Sequence, residues 1–270
     1  MIFVGDFIDR GPKIRETLHL VRAMVESGSA LAIIGNHEYN AICYHTPSSD
    51  ENFLREHSEK NIQQHIETLN AFINYTNEWD EFLEWFKRLP IFIELDDLRI
   101  VHAYWSEKNI DYLKHFYPEN KFTNEFLIKS ADKYSVEYRV IDELLKGPEV
   151  NLPGTNNFAD KDGNKRDRAR IKWWINNSSY TYNELSFSDN MIDEEIPRSV
   201  LSKVEFYNVQ DPPVFFGHYW LNHNPQITSD NSCCVDFSIA KGGYLVAYRW
   251  DGEQVLSNDK LVWIPMIKKN

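Results

Sequence analysis

The chain has 270 residues, 42% of them hydrophobic and 26% charged, proportions that exclude a disordered, collagen-like or fibrous protein. Its 29 Lys+Arg against 41 Asp+Glu leave a net charge of −12, so no sequence-wide attraction for duplex nucleic acid or an anionic membrane is expected. No apolar run approaches the roughly 20 residues of a membrane helix. Met1 to Arg10 lack a signal-peptide pattern. Three cysteines (Cys43, Cys233, Cys234) form no disulfide framework, which points to a reducing, cytoplasmic setting with each thiol a small buried hydrophobe.

Ile2-Phe3-Val4 reads as a buried strand. Ile14, Leu18, Val21 and Val25 repeat at helical spacing between Pro12 and Gly28, and Leu31 to Ile34 is a second strand, which together make a parallel βαβ unit. From Tyr39 to about Arg88 the pattern is helical, with one apolar face on Ile62, Ile66, Leu69 and Ile73 and another on Phe82, Leu83 and Phe86. Pro90 ends that block, and Ile91 to Val101 reads as a hairpin turning at Asp96-Asp97. Residues 107 to 147 read as mostly helical. The stretch 148 to 198, with turn signals at Pro153-Gly154 and Asp162-Gly163, is too long for a simple loop and reads as an insertion or cap over a site. Pro213 to Phe216, Cys233 to Phe237 and Tyr244 to Trp250 read as strands, Asp251-Gly252 as a hairpin turn, and Val262 to Ile264 as the strand that closes the sheet. The expectation is a single α/β domain over 1–270, with a helical insertion at 39–90 and a cap or insertion at 107–198.

Four segments share one design, an apolar run followed by a metal-competent side chain: Val4-Gly5-Asp6, Ile34-Gly35-Asn36-His37, Val101-His102 and Phe216-Gly217-His218. In an open α/β sheet ligands bind beyond the carboxyl ends of the strands, so four such tails can meet in one crevice. One carboxylate, one amide oxygen and two imidazoles suit a borderline divalent ion such as Mn²⁺, Fe²⁺ or Zn²⁺, and the absence of thiolates reads as catalytic rather than structural.

Gly5-Asp6-Phe7-Ile8-Asp9-Arg10-Gly11 matches GDxxDRG and Gly35-Asn36-His37-Glu38 matches GNHE. With Val101-His102 and Gly217-His218 following in order, the chain resembles the calcineurin-like metallophosphoesterases, in the branch of phosphoprotein phosphatases and bacterial diadenosine-tetraphosphate hydrolases. The resemblance implies mixed β-sheets flanked by helices. It implies a metal-dependent phosphohydrolase acting on phosphomonoesters or nucleoside polyphosphates, with a phosphorylated small molecule, nucleotide or phosphoprotein as substrate. Asp6 would bridge two metal ions and Asn36, His102 and His218 would complete the second site, with a hydroxide between the metals attacking phosphorus in line. His37 would protonate the leaving oxygen, Asp9 would orient it, and Arg10 would grip phosphate. Glu38 reads as supporting or helix-start charge.

One part of the pattern is missing. The family's Asp-x-His motif, carried by an earlier strand, has no counterpart here, so the first strand is expected to be absent and the chain to be a shortened form or a late start. The first metal would then keep only Asp6, and about one ion would bind. The alternative is a catalytically dead fold that acts as a binding protein. His19, His45, His57, His65, His115 and His223 read as solvated or core histidines, with His223 and His45 the nearest to motif positions. The basic run from Lys161 to Lys172 is either a solvated loop or the source of substrate contacts through Arg168 and Arg170, with Trp173 and Trp174 walling the pocket.

Overall fold

In the computed structural model, residues 1–48, 52–154, 158–159, 165–175, 179–187 and 192–267 are described. The expected Asp162-Gly163 turn and Lys161 lie outside them. The chain opens with β1 (Ile2–Phe3), α1 (Ile14–Glu26) and β2 (Leu31–Ala32). The two strands are parallel, Ile2 opposite Leu31 and Phe3 opposite Ala32, so the βαβ unit is as expected. β1 is only half-buried, against the expected buried run. Helix α1 buries Ile14, Leu18 and Val21, and Gly28, at φ +73°, supplies the left-handed turn just beyond its end.

Three helices follow: α2 (Asn36–His45), α3 (Glu59–Phe72) and α4 (Thr76–Arg88). α4 buries Phe82, Leu83 and Phe86 as expected, with Trp79 and Trp85 beside them. α3 departs from expectation. Its buried residues are His65, Thr68 and Phe72, while Ile62, Ile66 and Leu69 are half-buried and Ile73 is exposed. The helix is rotated so that a polar pair faces inward, because that pair has a buried carboxylate to bond.

β3 (Phe92–Leu95) and β4 (Leu98–Val101) form the expected hairpin. Helices α5 (Glu107–Phe116), α6 (Asn124–Ala131) and α7 (Val136–Lys146) each start on a hydroxyl cap: Ser106, Thr123 and Ser135 accept from Asn109, Phe126 and Tyr138 backbone N–H groups. Next come β5 (Glu149–Asn151), β6 (Phe158–Ala159), β7 (Lys165–Arg166), β8 (Arg168–Arg170), α8 (Tyr182–Leu185) and α9 (Arg198–Leu201). β5 and β8 pair antiparallel over a small core of their own that includes Val150, Leu152, Ala169, Ile171 and Leu185. Trp173 and Trp174 do not wall a pocket. Both are buried in the main core, where large rings gain most, and Trp173 Nε1 donates to Ala103 O at 2.8 Å.

The chain finishes with β9 (Val214–Phe216), β10 (Ser232–Cys234), β11 (Asp236–Phe237), β12 (Tyr244–Tyr248) and β13 (Leu261–Pro265). The four-stranded sheet runs β10-β9-β4-β3, with β4, β9 and β10 parallel. The expected strand Cys233 to Phe237 breaks at Val235 into β10 of this sheet and β11 of a second, antiparallel sheet β11-β12-β13. Val262 to Ile264 therefore extends the second sheet and does not close the first. Asp251-Gly252 is not a two-residue hairpin turn. Residues 249–260 make a longer loop in which Lys260 pairs with Asp251 and Glu253, and Trp250 Nε1 donates to Glu253 O at 2.9 Å. All three cysteines are free and buried, and among the described residues no helix is long and apolar enough to cross a membrane.

The carboxyl ends of β1, β2, β4 and β9 meet. His102 Nδ1 donates to Val4 O at 2.6 Å, and Gly217 N donates to His102 O at 2.8 Å. Gly5, at φ +90°, touches Gly35 so closely that a Cβ at position 5 would lie 2.5 Å from Gly35 N. Only glycine lets the two loops cross there.

Candidate metal centre and phosphoryl-transfer site

Asp6, Asn36, His102 and His218, remote in sequence, converge at this crossing. His102 Nε2 lies 3.1 Å from Asn36 Oδ1 and 3.4 Å from Asp6 Oδ1, and His218 Nδ1 lies 2.7 Å from Asn36 Oδ1. One ligand atom from each of Asp6, His102 and His218 falls within 4.8 Å of the others. Their backbones are held in an unusual shape. Asp6, Asp9 and His218 sit at φ +62°, +66° and +64°, a region that costs a non-glycine residue roughly 1–3 kcal/mol and persists where surrounding bonds impose it.

Those bonds come from two further carboxylates, Glu38 and Asp236. Glu38 is fully buried and takes the supporting role of its two readings. Its carboxylate accepts from Asp6 N at 2.8 Å, Phe7 N at 2.6 Å and Gly35 N at 3.0 Å, clamping the two loops together. Asp236 does the same for the third loop, accepting from Trp220 N at 3.0 Å and Ser238 N at 3.1 Å. The signal for Glu38 was its place at the third position of α2, where a carboxylate reaches back to the start of the helix. For Asp236 there was none.

The donor set fits a divalent cation. A carbonyl only accepts, so His102 Nδ1 carries the hydrogen given to Val4 O, and Nε2 is the ring nitrogen turned to Asp6 and Asn36. By the same logic His218 Nδ1 donates to Asn36, which leaves His218 Nε2 buried with no partner among the described residues. Burial and the nearby charge of Arg170 pull the His218 pKa well down, so this imidazole is neutral and able to ligate. Burial raises the Asp6 carboxyl, but His102 and His37 outweigh it and hold it well below the usual carboxylate range.

Beside this cluster, His37 is the second residue of α2 and donates from its backbone N to Asp6 Oδ1 at 3.2 Å. Its Nδ1 bonds Asp9 Oδ2 at 2.7 Å. Burial pulls the His37 pKa down, but Asp6 and Asp9 push it up further, to about 9. Asp9 also receives His65 Nδ1 at 2.6 Å and Thr68 Oγ1 at 2.7 Å. Burial raises Asp9, and the bonds from His37 and His65 more than reverse this, to about 2. An acid held below its unfolded value stabilises the fold above about pH 4, and that contribution disappears as pH falls towards 2. The stability gap between wild type and Asp9→Asn, followed by urea unfolding, is therefore expected to shrink by about 2 kcal/mol between pH 6 and pH 2. A gap independent of pH would contradict the assignment.

Arg10 is exposed, with no ionic partner among the described residues. Arg168 and Arg170 separate. Arg168 is exposed, whereas Arg170 is half-buried beside Gly147 and Tyr219, 3.7 Å from Glu149 Oε1, with its Nε buried and unpaired among the described residues. Lys165 and Arg166 side chains lie outside the described residues. His223 is turned away, its Nδ1 bonding Asn224 O at 2.7 Å on an exposed loop.

The calcineurin-like phosphoesterase family model matches residues 1–218. The chain belongs to this family. Among curated relatives, the symmetrical bis(5'-nucleosyl)-tetraphosphatase of Psychromonas ingrahamii is 23% identical over 94% of this chain and 83% of its own length. The enzyme of the same name from Vibrio parahaemolyticus is 23% identical over 95% and 87%. Among solved structures, a cold-active protein-tyrosine phosphatase of a psychrophilic Shewanella species covers 99% of this chain and 69% of its own, at 14% identity and a TM-score of 0.46. The calcineurin-like frame accounts for the mixed sheets flanked by helices described above.

Proposed function

We propose that this calcineurin-like phosphoesterase is a metal-dependent phosphohydrolase of phosphomonoesters or nucleoside polyphosphates. The observation that carries the reading is the meeting of Asp6, Asn36, His102 and His218 next to the His37–Asp9 pair. The four residues would hold Mn²⁺, Fe²⁺ or Zn²⁺. A divalent ion bound there acidifies water and offsets the charge on a phosphoryl group. His37 gives a proton to the leaving oxygen from the ring nitrogen that Asp9 does not hold, and Asp9 fixes that ring.

Arg10 and Arg170 hold the phosphate. A polyphosphate approaching a chain of net charge −12 needs local cations, and the half-buried Arg170, whose charge acts on His218, supplies one. Arg168, on the exposed side, is not part of this grip. The residues 1–270 act as one domain, with the 148–198 segment reaching the site through Arg170 on β8. Truncating Arg170 to Ala is expected to raise KM about 10- to 100-fold, the worth of one charge-assisted hydrogen bond, and Arg168→Ala to leave it within about twofold. Equal effects of the two would remove Arg170 from the site.

The relatives' names point to diadenosine tetraphosphate as the first substrate to try. The test is release of phosphate or nucleotide by the Mn²⁺-loaded chain from p-nitrophenyl phosphate, a phosphopeptide and diadenosine tetraphosphate. Turnover of at least one, lost in Asp6→Asn, supports the reading. No turnover of any, with metal bound, favours a binding protein.

A further inference from the structure

Asp9 has two carboxylate oxygens, and His37 uses only one of them. The other, Oδ1, receives His65 Nδ1 at 2.6 Å and Thr68 Oγ1 at 2.7 Å, and Thr68 Oγ1 in turn accepts from Asp9 N at 2.9 Å. Both partners stand on the buried face of α3. From His65 the chain of contacts continues inward. His65 Nε2 lies 3.3 Å from His45 Nε2 on α2, and Trp79 Nε1 on α4 lies 3.1 Å from that same nitrogen.

The hydrogen-bond inventory fixes where the protons are. An indole N–H can only donate, so His45 Nε2 is an acceptor. Burial, with His65 and His57 nearby, pulls the His45 pKa down to about 4, which keeps that ring a neutral acceptor. A carboxylate only accepts, so His65 Nδ1 carries the hydrogen given to Asp9 Oδ1, while its Nε2 is the ring nitrogen packed against His45 and Trp79. The cost of this arrangement is informative. The same helix has an apolar stripe on Ile62, Ile66, Leu69 and Ile73, yet it buries His65 and Thr68 instead. Replacing buried polar networks with apolar packing is often neutral or stabilising, so stability alone does not select this face.

We propose that His65, its ring fixed by His45 and Trp79, is a positioning residue for the Asp9–His37 pair: it pins Asp9 Oδ1 so that Oδ2 holds His37 in the orientation that protonates the leaving oxygen. This rests on the reading of His37 as proton donor. It assigns a role to the helical insertion, whose α3 and α4 supply His65, Thr68 and Trp79.

The test compares wild type, His65→Leu, His65→Asn, His37→Asn and the His37→Asn/His65→Leu double variant, all Mn²⁺-loaded, on p-nitrophenyl phosphate and on O-phosphoserine. The nitrophenolate departs without help, whereas the serine alkoxide needs a proton. For His65→Leu, kcat on O-phosphoserine is expected to fall at least about tenfold more than on p-nitrophenyl phosphate, with KM little changed. His65→Asn, whose amide N–H replaces Nδ1–H, regains most of the loss, and the double variant is no worse than His37→Asn alone. Equal losses on both substrates, or additive losses, would overturn the proposal. Histidine ¹⁵N spectra give a readout independent of turnover: a hydrogen on His65 Nδ1 is expected, and a bare Nδ1 overturns the proposal. A wild type that turns over neither substrate while showing the hydrogen on His65 Nδ1 counts against the phosphohydrolase reading and leaves the His65 geometry standing.

Discussion

Replacing His37 with Asn is expected to lower kcat on alkyl phosphoesters by about 10²- to 10⁴-fold, the usual worth of a positioned general acid, while KM stays close to wild type. The reason lies in how the ring is held. Its Nδ1 is committed to Asp9 at 2.7 Å, and its side chain keeps 18% of its surface open, so the second ring nitrogen is the group free to meet a leaving oxygen. Asp6 and Asp9 push its pKa to about 9 against the opposing effect of burial, so it carries a proton at neutral pH. Asparagine keeps the backbone N–H that bonds Asp6 and removes only the acid. Steady-state kinetics on O-phosphoserine check this, and a variant retaining more than a tenth of wild-type kcat would contradict it.

Glu38→Ala is expected to cost roughly 3 kcal/mol or more. Three backbone N–H groups (Asp6, Phe7 and Gly35) lose their acceptor in a place where water does not replace it, and each buried unsatisfied donor costs about 1–3 kcal/mol. For a chain of this size that corresponds to a melting temperature lower by about 6–12 °C. The same change releases the left-handed turn at Asp6, so metal affinity falls along with stability. Thermal unfolding of the purified variant is the check. A shift under about 2 °C would mean that the clamp is not what holds the two loops.

The site was more legible in the sequence than the scaffold around it. Asp6, Asn36, His102 and His218 each follow an apolar run, and the parallel arrangements of β1 with β2 and β4 with β9 carry their carboxyl ends to one place, so strand-end position alone predicted the meeting. What sequence periodicity missed was polar burial. The stripe on Ile62, Ile66, Leu69 and Ile73 competed with His65, Thr68 and Phe72 for the inward face of α3, and only the buried Asp9 carboxylate, remote in sequence, decides between them. Glu38 reads as supporting or helix-start charge, and the three donors that its buried carboxylate satisfies decide for the first. Cys233 to Phe237 looked like one strand since its apolar pattern runs on across Val235, where the chain leaves one sheet for the other. Arg168 and Arg170 are indistinguishable by composition, and only the pairing of β8 with β5 beside Tyr219 separates them.

Calorimetric titration of Mn²⁺ into the 270-residue chain, alongside Asp6→Asn and His102→Ala, tests the convergence of the four strand-end residues most directly. Saturable binding of about one ion per chain is expected, with affinity reduced at least about tenfold in each variant. Absence of saturable binding, or an affinity that neither substitution changes, would contradict the account.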